Sequence, residues 1–239
     1  MSKRLYKTIE IENLKDMLNK TKNIYSDKPA YKIKIEENKY QIYTHEQVRE
    51  MIDSIGTSLI DMGLKDKRIA IIGENRYEWE IAYLSIVCGT GIVVPIDKSL
   101  PEHELESVIE RSEVEAIFYS NKYEEILNKI KYSKNNKLKH LISMDNLENK
   151  EGVYSQKELI QKGEELIQNG DKRFINAEID NEKMSIMLFT SGTTSKSKVV
   201  ALSHKNIASN LMDIGSILDI TSEDTLLSIL PIHHVFECT

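Results

Sequence analysis

Cysteine is scarce in this chain, and no run of apolar residues is long enough to span a membrane. Cys88 and Cys238 are the only cysteines among 239 residues, too few for a disulfide framework and typical of a reducing compartment. The longest uncharged stretch, residues 81–96, contains two glycines and a proline and falls short of the ~18 apolar residues that a transmembrane helix requires. The N-terminal residues also lack the apolar region of a secretory signal. We therefore expect a soluble cytoplasmic protein with no transmembrane segment.

An excess of basic residues is also missing. The 32 lysines and arginines are outnumbered by 38 aspartates and glutamates, which gives a net charge of −6. Because a general nucleic-acid-binding protein normally carries a basic excess or a basic stripe, we expect no nucleic-acid partner. Hydrophobic residues make up 40% of the chain and charged residues 29%, a composition typical of folded globular domains and not of disordered chains.

Hydrophobic patterning separates a first part of 67 residues from a longer α/β part. Residues 30–35 and 39–43 alternate polar and apolar side chains around a polar turn, which predicts a β-hairpin. Thr44 and Gln47 then form a capping box for a helix. From residue 68 onward, short apolar runs alternate with helical patterns, as in βαβ units, and predict a parallel sheet with helices on both faces. The predicted strands are residues 68–73, 91–96, 115–119, 138–143, 184–189 and 224–230.

A loop of small hydroxyl-bearing residues follows one predicted buried strand. It comprises six consecutive residues, Thr190, Ser191, Gly192, Thr193, Thr194 and Ser195, and Lys198 comes shortly after them. Backbone N–H groups and hydroxyls in such a loop can contact phosphate oxygens while a lysine neutralises their charge. On composition alone, a solvated turn is an equal alternative. The P-loop, the dinucleotide-binding fingerprint, the hydrolase elbow and metal-ligand spacings are all absent.

The loop resembles the phosphate-binding signature of the adenylate-forming enzymes, usually written YTSGTTGxPKG. This family includes acyl-CoA synthetases, luciferases and peptide-synthetase adenylation domains. Residues 230–234, Leu-Pro-Ile-His-His, are similar to the family's LPxxH motif. Residues 72–79 and 91–96 resemble the GENRPEW and GAVVVPI stretches of long-chain fatty-acid–CoA ligases. The resemblance extends from about residue 8 to residue 239.

The resemblance implies that the chain is part of the large N-terminal domain of an AMP-forming enzyme. Residues 1–67 would belong with an incomplete second sheet, residues 68–222 would form the parallel α/β subdomain, and residues 223–239 would begin a second-sheet segment. The family's ribose-binding aspartate and its C-terminal domain with the catalytic lysine are not among these residues. We therefore expect the isolated chain to be inactive, with exposed apolar edges that pair two copies as a dimer.

The activity implied by the resemblance is attack of a carboxylate on the α-phosphate of Mg-ATP, followed by displacement of AMP by the thiol of coenzyme A. ATP, Mg²⁺ and coenzyme A would be the co-substrates, and a medium- or long-chain fatty acid the carboxylate. The loop residues from Thr190 to Ser195 would bind phosphate together with Lys198, and Thr193 or Thr194 would lie near Mg²⁺. Lys198 and His234 are the catalytic candidates, and His233 joins His234 as a candidate for substrate binding.

Three departures and two alternatives accompany this prediction. Ser195, Ser197 and Val199 replace residues that are usually glycine, proline and glycine, so the loop is expected to be less free to adopt positive φ angles. One alternative is an adenylating ligase that loads the acyl group onto a carrier protein. The other is a non-catalytic doubly wound module that binds a small ligand at its strand ends. In that case Lys198 would be a solvated lysine and His234 a structural residue.

Overall fold

The computed structural model describes residues 5–133, 135–146, 148–190 and 197–234. Within these residues the chain forms nine β-strands and seven α-helices. The strands are β1 (Pro29–Glu36), β2 (Lys39–Thr44), β3 (Arg68–Ile72), β4 (Ile92–Pro95), β5 (Ala116–Tyr119), β6 (His140–Ser143), β7 (Val153–Ser155), β8 (Met184–Thr190) and β9 (Lys198–Ser203). The helices are α1 (Leu14–Tyr25), α2 (His45–Asp61), α3 (Tyr77–Ser85), α4 (Glu102–Ser112), α5 (Glu124–Lys131), α6 (Gln156–Gln168) and α7 (His204–Gly215).

Seven strands form one sheet, in the order β7-β6-β5-β3-β4-β8-β9. All neighbouring strands from β7 to β8 are parallel, which confirms the predicted parallel sheet. At the edge, β9 pairs antiparallel with β8. Only residues 191–197 separate these two strands, whereas a crossover to a parallel neighbour needs roughly a dozen residues or more.

Helices cover both faces of this sheet, as predicted. Successive strand residues point to opposite faces, so Ile69 and Ile71 of β3 enter one core while Ala70 and Ile72 enter another. The first core contains side chains from α1, α2, α3, α6 and α7, including the fully buried Trp79. The second core is formed with α4 and α5. Burial of these apolar side chains stabilises the fold by roughly 1.5–3 kcal/mol for each large one.

The predicted N-terminal hairpin is a separate two-stranded antiparallel sheet that packs on α3. The Tyr31 hydroxyl donates a hydrogen bond to the Glu80 carboxylate at 2.6 Å. The ring centroids of Tyr43 and Tyr77 lie 4.7 Å apart. Thr44 then begins α2 with the capping box that the sequence predicts. Aromatic side chains thus hold the hairpin against the first core.

Two elements differ from the sequence prediction. Residues 224–230 were predicted as a strand but have no strand structure, and no strand within the described residues pairs with them. Leu226, Leu227 and Ile229 are accordingly 77%, 82% and 73% exposed. Conversely, β7 is an added edge strand of three residues, too short to show a periodic pattern. Within the described residues, no helix combines the length and the apolar content that a membrane span needs.

Candidate functional site

The carboxyl ends of three neighbouring strands carry the polar residues of the candidate site. In open α/β sheets, ligands bind in the crevice outside these ends. β3 leads into residues 73–76, β4 is followed by Asp97, and β8 ends at Thr190. Because β3, β4 and β8 are consecutive in the sheet, these three segments leave the same edge side by side.

The β8–β9 hairpin brings two predicted phosphate ligands together. Thr190, the last residue of β8, is the register partner of Lys198, the first residue of β9, and both are exposed. The loop therefore follows the carboxyl end of a sheet strand, as predicted. The other predicted loop ligands, which include both Mg²⁺ candidates, lie outside the described residues: Ser191, Gly192, Thr193, Thr194 and Ser195.

Arg111, in the last turn of α4, binds the end of this loop. Its guanidinium donates one hydrogen bond to the Ser197 hydroxyl at 2.9 Å and another to the Ser197 carbonyl at 2.8 Å. The guanidinium carbon also lies 5.2 Å from the centroid of the Phe189 ring, a cation–π distance. Arg111 thus contacts β8 at Phe189 and the residue that directly precedes Lys198. Sequence reasoning missed Arg111, although the serine at position 197 indicated an altered loop.

The turn that contains the two candidate histidines packs against the β4 end of the sheet. Ile232 is buried in the first core, and His233 Nε2 lies 3.5 Å from Asp97 Oδ1. Burial lowers the pKa of His233, and the Asp97 carboxylate opposes this only in part, so the environment favours the neutral imidazole. Its Nδ1 atom is buried and has no hydrogen-bond partner within the described residues. His234 is exposed.

Asn75 connects two motifs that lie far apart in the sequence. Its side-chain amide donates hydrogen bonds to the Leu230 carbonyl at 2.6 Å and to the Ser228 hydroxyl at 2.9 Å. Its side-chain oxygen accepts a hydrogen bond from the Ile232 N–H at 3.2 Å. Residues 72–79 and 230–234, recognised separately in the sequence, are therefore in direct contact. Sequence reasoning did not assign a role to Asn75.

The charged residues beside Asn75 are paired. Arg76 binds the Glu78 carboxylate at 2.8 Å and also pairs with Asp145. Burial disfavours the charged form of Glu74, but the hydrogen bond and the charge of Lys122, together with weaker hydrogen bonds, outweigh burial and lower the pKa of Glu74 to about 2. These ion pairs fix the conformation of the loop from which Asn75 extends.

A metal site formed by protein side chains alone is absent from the described part of the chain. No group of three or more His, Cys, Asp or Glu residues within the described part of the chain could hold a metal ion. The two threonines that the resemblance places near Mg²⁺ fall in residues 191–196, outside that part.

Fold and candidate site together define an α/β domain whose candidate site residues lie at the carboxyl ends of neighbouring parallel strands. Over residues 18–239, the chain matches the family described as AMP-binding enzyme, and it belongs to that family. This match confirms the resemblance to adenylate-forming enzymes inferred from the loop and the LPxxH-like motif.

Similar proteins support the same assignment. Long-chain-fatty-acid–CoA ligase 5 of Rattus norvegicus is 27% identical over 210 residues, which cover 83% of this chain and 31% of that protein. The solved structure of a long-chain-fatty-acid–CoA ligase from Archaeoglobus fulgidus has a TM-score of 0.80 at 17% identity, covering 99% of this chain and 46% of that one. An A-PCP didomain of carboxylic acid reductase from Segniliparus rugosus, in complex with AMP, has a TM-score of 0.67 at 15% identity. The match covers 82% of this chain and 32% of that one. The chain thus spans about a third of the length of the curated relative.

Proposed function

We propose that this chain provides the phosphate-binding and carboxylate-binding side of an enzyme that activates a carboxylic acid with ATP. The carboxylate attacks the α-phosphate, giving an acyl-adenylate and pyrophosphate, and the thiol of coenzyme A then displaces AMP. The observation that carries the proposal is the β8–β9 hairpin, where Thr190 and Lys198 face each other at the ends of the hydroxyl-rich loop. Membership in the AMP-binding family supports it.

Phosphate binding is assigned to the loop and its flanking residues. Backbone N–H groups and the hydroxyls of Thr190, Ser191, Thr193, Thr194 and Ser195 donate to the β- and γ-phosphate oxygens, and Gly192 lets the backbone approach them. Lys198 compensates the negative charge, and Mg²⁺ arrives with ATP near Thr193 or Thr194. Such a loop contributes by positioning the phosphates and stabilising their charge, which is how proteins mainly catalyse phosphate chemistry.

The carboxylate is assigned to the turn that contains His233 and His234. His234 is exposed and lies one residue beyond His233, which is itself held beside Asp97. A medium- or long-chain fatty acid is the proposed substrate, because the similar rat and archaeal proteins are described as long-chain-fatty-acid–CoA ligases. The residue-level resemblance at positions 72–79 supports the same substrate class.

A second acceptor is favoured by one comparison. The similar structure from Segniliparus rugosus is an A-PCP didomain, which suggests a carrier-protein thiol in place of coenzyme A. The adenylation half-reaction is the same for both acceptors. Adding coenzyme A or a phosphopantetheinylated carrier protein to preformed acyl-adenylate would distinguish them by the product formed.

Pyrophosphate–ATP exchange with short-, medium- and long-chain fatty acids tests the proposal. It should be measured on the 239-residue chain and on any longer polypeptide that the same reading frame encodes. We expect no exchange by the 239 residues alone and acid-dependent exchange by a polypeptide that includes the family's C-terminal domain. Exchange by the short chain would show that catalysis resides in other residues than those assigned. Absence of exchange by such a longer polypeptide would contradict the proposed activity.

A further inference from the structure

We propose that Asn75 is a positioning residue that holds the histidine turn, defined here as residues 228–234, at the carboxyl edge of the sheet. This inference rests on the proposed function, in which His233 and His234 face the carboxylate. Asn75 lies three residues beyond β3 and 153 positions before Ser228. A residue of the loop after β3 thus fixes a distant segment that has no sheet partner within the described residues.

The hydrogen bonds of Asn75 satisfy the backbone of the turn. An asparagine amide has two N–H donors and an acceptor oxygen, and Asn75 uses both functions on this one segment. The Leu230 carbonyl and the Ile232 N–H have no other hydrogen-bond partner within the described residues. Loss of the amide would therefore release two backbone groups on either side of Pro231.

Within the described residues, Ile232 and His233 also hold the turn against the rest of the chain. The residues just before the turn are largely exposed, with Leu226 and Leu227 more than three-quarters accessible. Ile232 is the apolar anchor, and Asp97 contacts the His233 ring. Ile232 fixes how deeply the turn inserts into the first core. Asn75 fixes the direction of the backbone at Leu230 and Ile232, and thereby the placement of His233 and His234, which follow. Asn75 acts on the histidines through this backbone and does not itself touch the substrate.

Amide hydrogen exchange on the 239-residue chain tests the contact directly. With Asn75→Ala, we expect the Ile232 N–H to exchange about fivefold faster or more, because one hydrogen bond of about 1 kcal/mol is lost. Ser228→Ala removes a single hydrogen bond to a side chain and is the matched control, in which Ile232 exchange should stay within about twofold of wild type. Unchanged Ile232 exchange in folded Asn75→Ala would overturn the proposal.

A second variant, Asn75→Asp, provides the test if Asn75→Ala does not fold. Asn75→Asp has nearly the same shape and keeps an oxygen that can accept from the Ile232 N–H. It lacks the N–H donor, however, and its carboxylate would repel the Leu230 carbonyl oxygen and so displace the turn. If Asn75→Ala is unfolded by circular dichroism, Asn75→Asp should show the faster exchange, confined to residues 228–234. Faster exchange spread over the whole sheet would instead indicate a general structural role and would overturn the proposal.

Kinetic measurements distinguish a positioning role of Asn75 from failure of the proposed function. In a polypeptide that catalyses acid-dependent exchange, Asn75→Ala should raise KM for the fatty acid about fivefold or more while KM for ATP stays within about twofold. A merely structural defect would lower the active fraction and leave both KM values unchanged, which would overturn the positioning role. If wild type shows no exchange, the proposed function fails, while the amide-exchange result still decides whether Asn75 holds the turn.

Discussion

The guanidinium of Arg111 holds Ser197 by its hydroxyl at 2.9 Å and by its carbonyl oxygen at 2.8 Å. Ser197 directly precedes Lys198, the lysine assigned to the phosphates. The family signature usually has a proline at this position, which would restrict the backbone by its ring. In this chain, Arg111 of α4 constrains the same point of the loop by its two hydrogen bonds to Ser197. A proline at position 197 could accept only the hydrogen bond to the carbonyl oxygen, because it has no hydroxyl.

We therefore expect Arg111→Ala to weaken the binding of pyrophosphate or ATP. Loss of an exposed contact changes binding by about two- to fivefold, and the free energy of unfolding should change by less than about 1 kcal/mol. Isothermal titration calorimetry and urea unfolding measure the two effects. Arg173→Ala is the control, because Arg173 is another exposed arginine whose partners are Asp171 and Asp61. Equal weakening by both variants would rule out a specific role for Arg111.

Helices α2 and α6 approach so closely that Gly163 tolerates no side chain. A Cβ at Gly163 would lie 1.9 Å from the Ser54 carbonyl oxygen of α2, and backbone cannot yield as a flexible side chain can. Gly163→Ala should therefore lower the free energy of unfolding by about 1–3 kcal/mol or more, although alanine favours helix. Glu164→Ala, at the neighbouring exposed position of α6, is the matched control. Urea unfolding measures the free energy of unfolding of both variants. Equal values for Gly163→Ala and Glu164→Ala would contradict the close packing of α2 and α6.

His204 makes the stability depend on pH. Its Nδ1 accepts a hydrogen bond from the Leu14 N–H at 3.2 Å, so its Nε2–H donates to the Val87 carbonyl at 2.9 Å. Burial lowers the pKa of His204, and the bond to Val87 opposes this only in part. The folded state thus binds the proton less readily than the unfolded state. The contribution of neutral His204 to the free energy of unfolding is therefore complete above pH 6.5 and declines as the pH falls below it.

Urea unfolding at pH 7.5 and 5.5 checks this pH dependence. Wild type should lose stability at the lower pH, and His204→Asn should lose less between the two values because it has no group to protonate. Burial also lowers the pKa values of His45, His140 and His233, so part of the dependence should persist in the variant. His103→Gln, at a side chain that is 81% exposed, should keep the wild-type dependence. An identical loss in wild type and His204→Asn would refute the assignment.

Periodic sequence patterns predicted most of the α/β part correctly. Strands such as β3 and β5 are short apolar runs buried on both faces, and Thr44 caps α2 as predicted. The strand predicted at 224–230 is absent because a strand depends on a neighbour that pairs with it, which local pattern does not reveal. The antiparallel direction of β9 likewise depends on how β8 and β9 pair.

The site was only partly predictable for a related reason. Thr190, Lys198 and the two histidines belong to local motifs that can be compared with a family signature. Asn75 and Arg111 act through contacts with residues 153 and 86 positions away, so no short motif contains them. The contacts of Asn75 follow from the sheet order, which places the ends of β3, β4 and β8 side by side. Those of Arg111 follow from the packing of α4 in the core that Phe189 of β8 also contacts.

Binding of pyrophosphate and ATP to the 239-residue chain tests the central claim that the β8–β9 hairpin is a phosphate site. Charge-assisted hydrogen bonds of about 1.5–3 kcal/mol each, offset by the ordering of ligand and loop, should give weak affinity, about millimolar. In a nuclear magnetic resonance titration, we expect the signals of Thr190 and Lys198 to shift. Lys198→Ala should lower the affinity about two- to fivefold. Lys205→Ala, which removes an exposed lysine paired with Glu182, should leave the affinity unchanged. Absence of binding, or binding that Lys198→Ala leaves unchanged, would contradict the central claim.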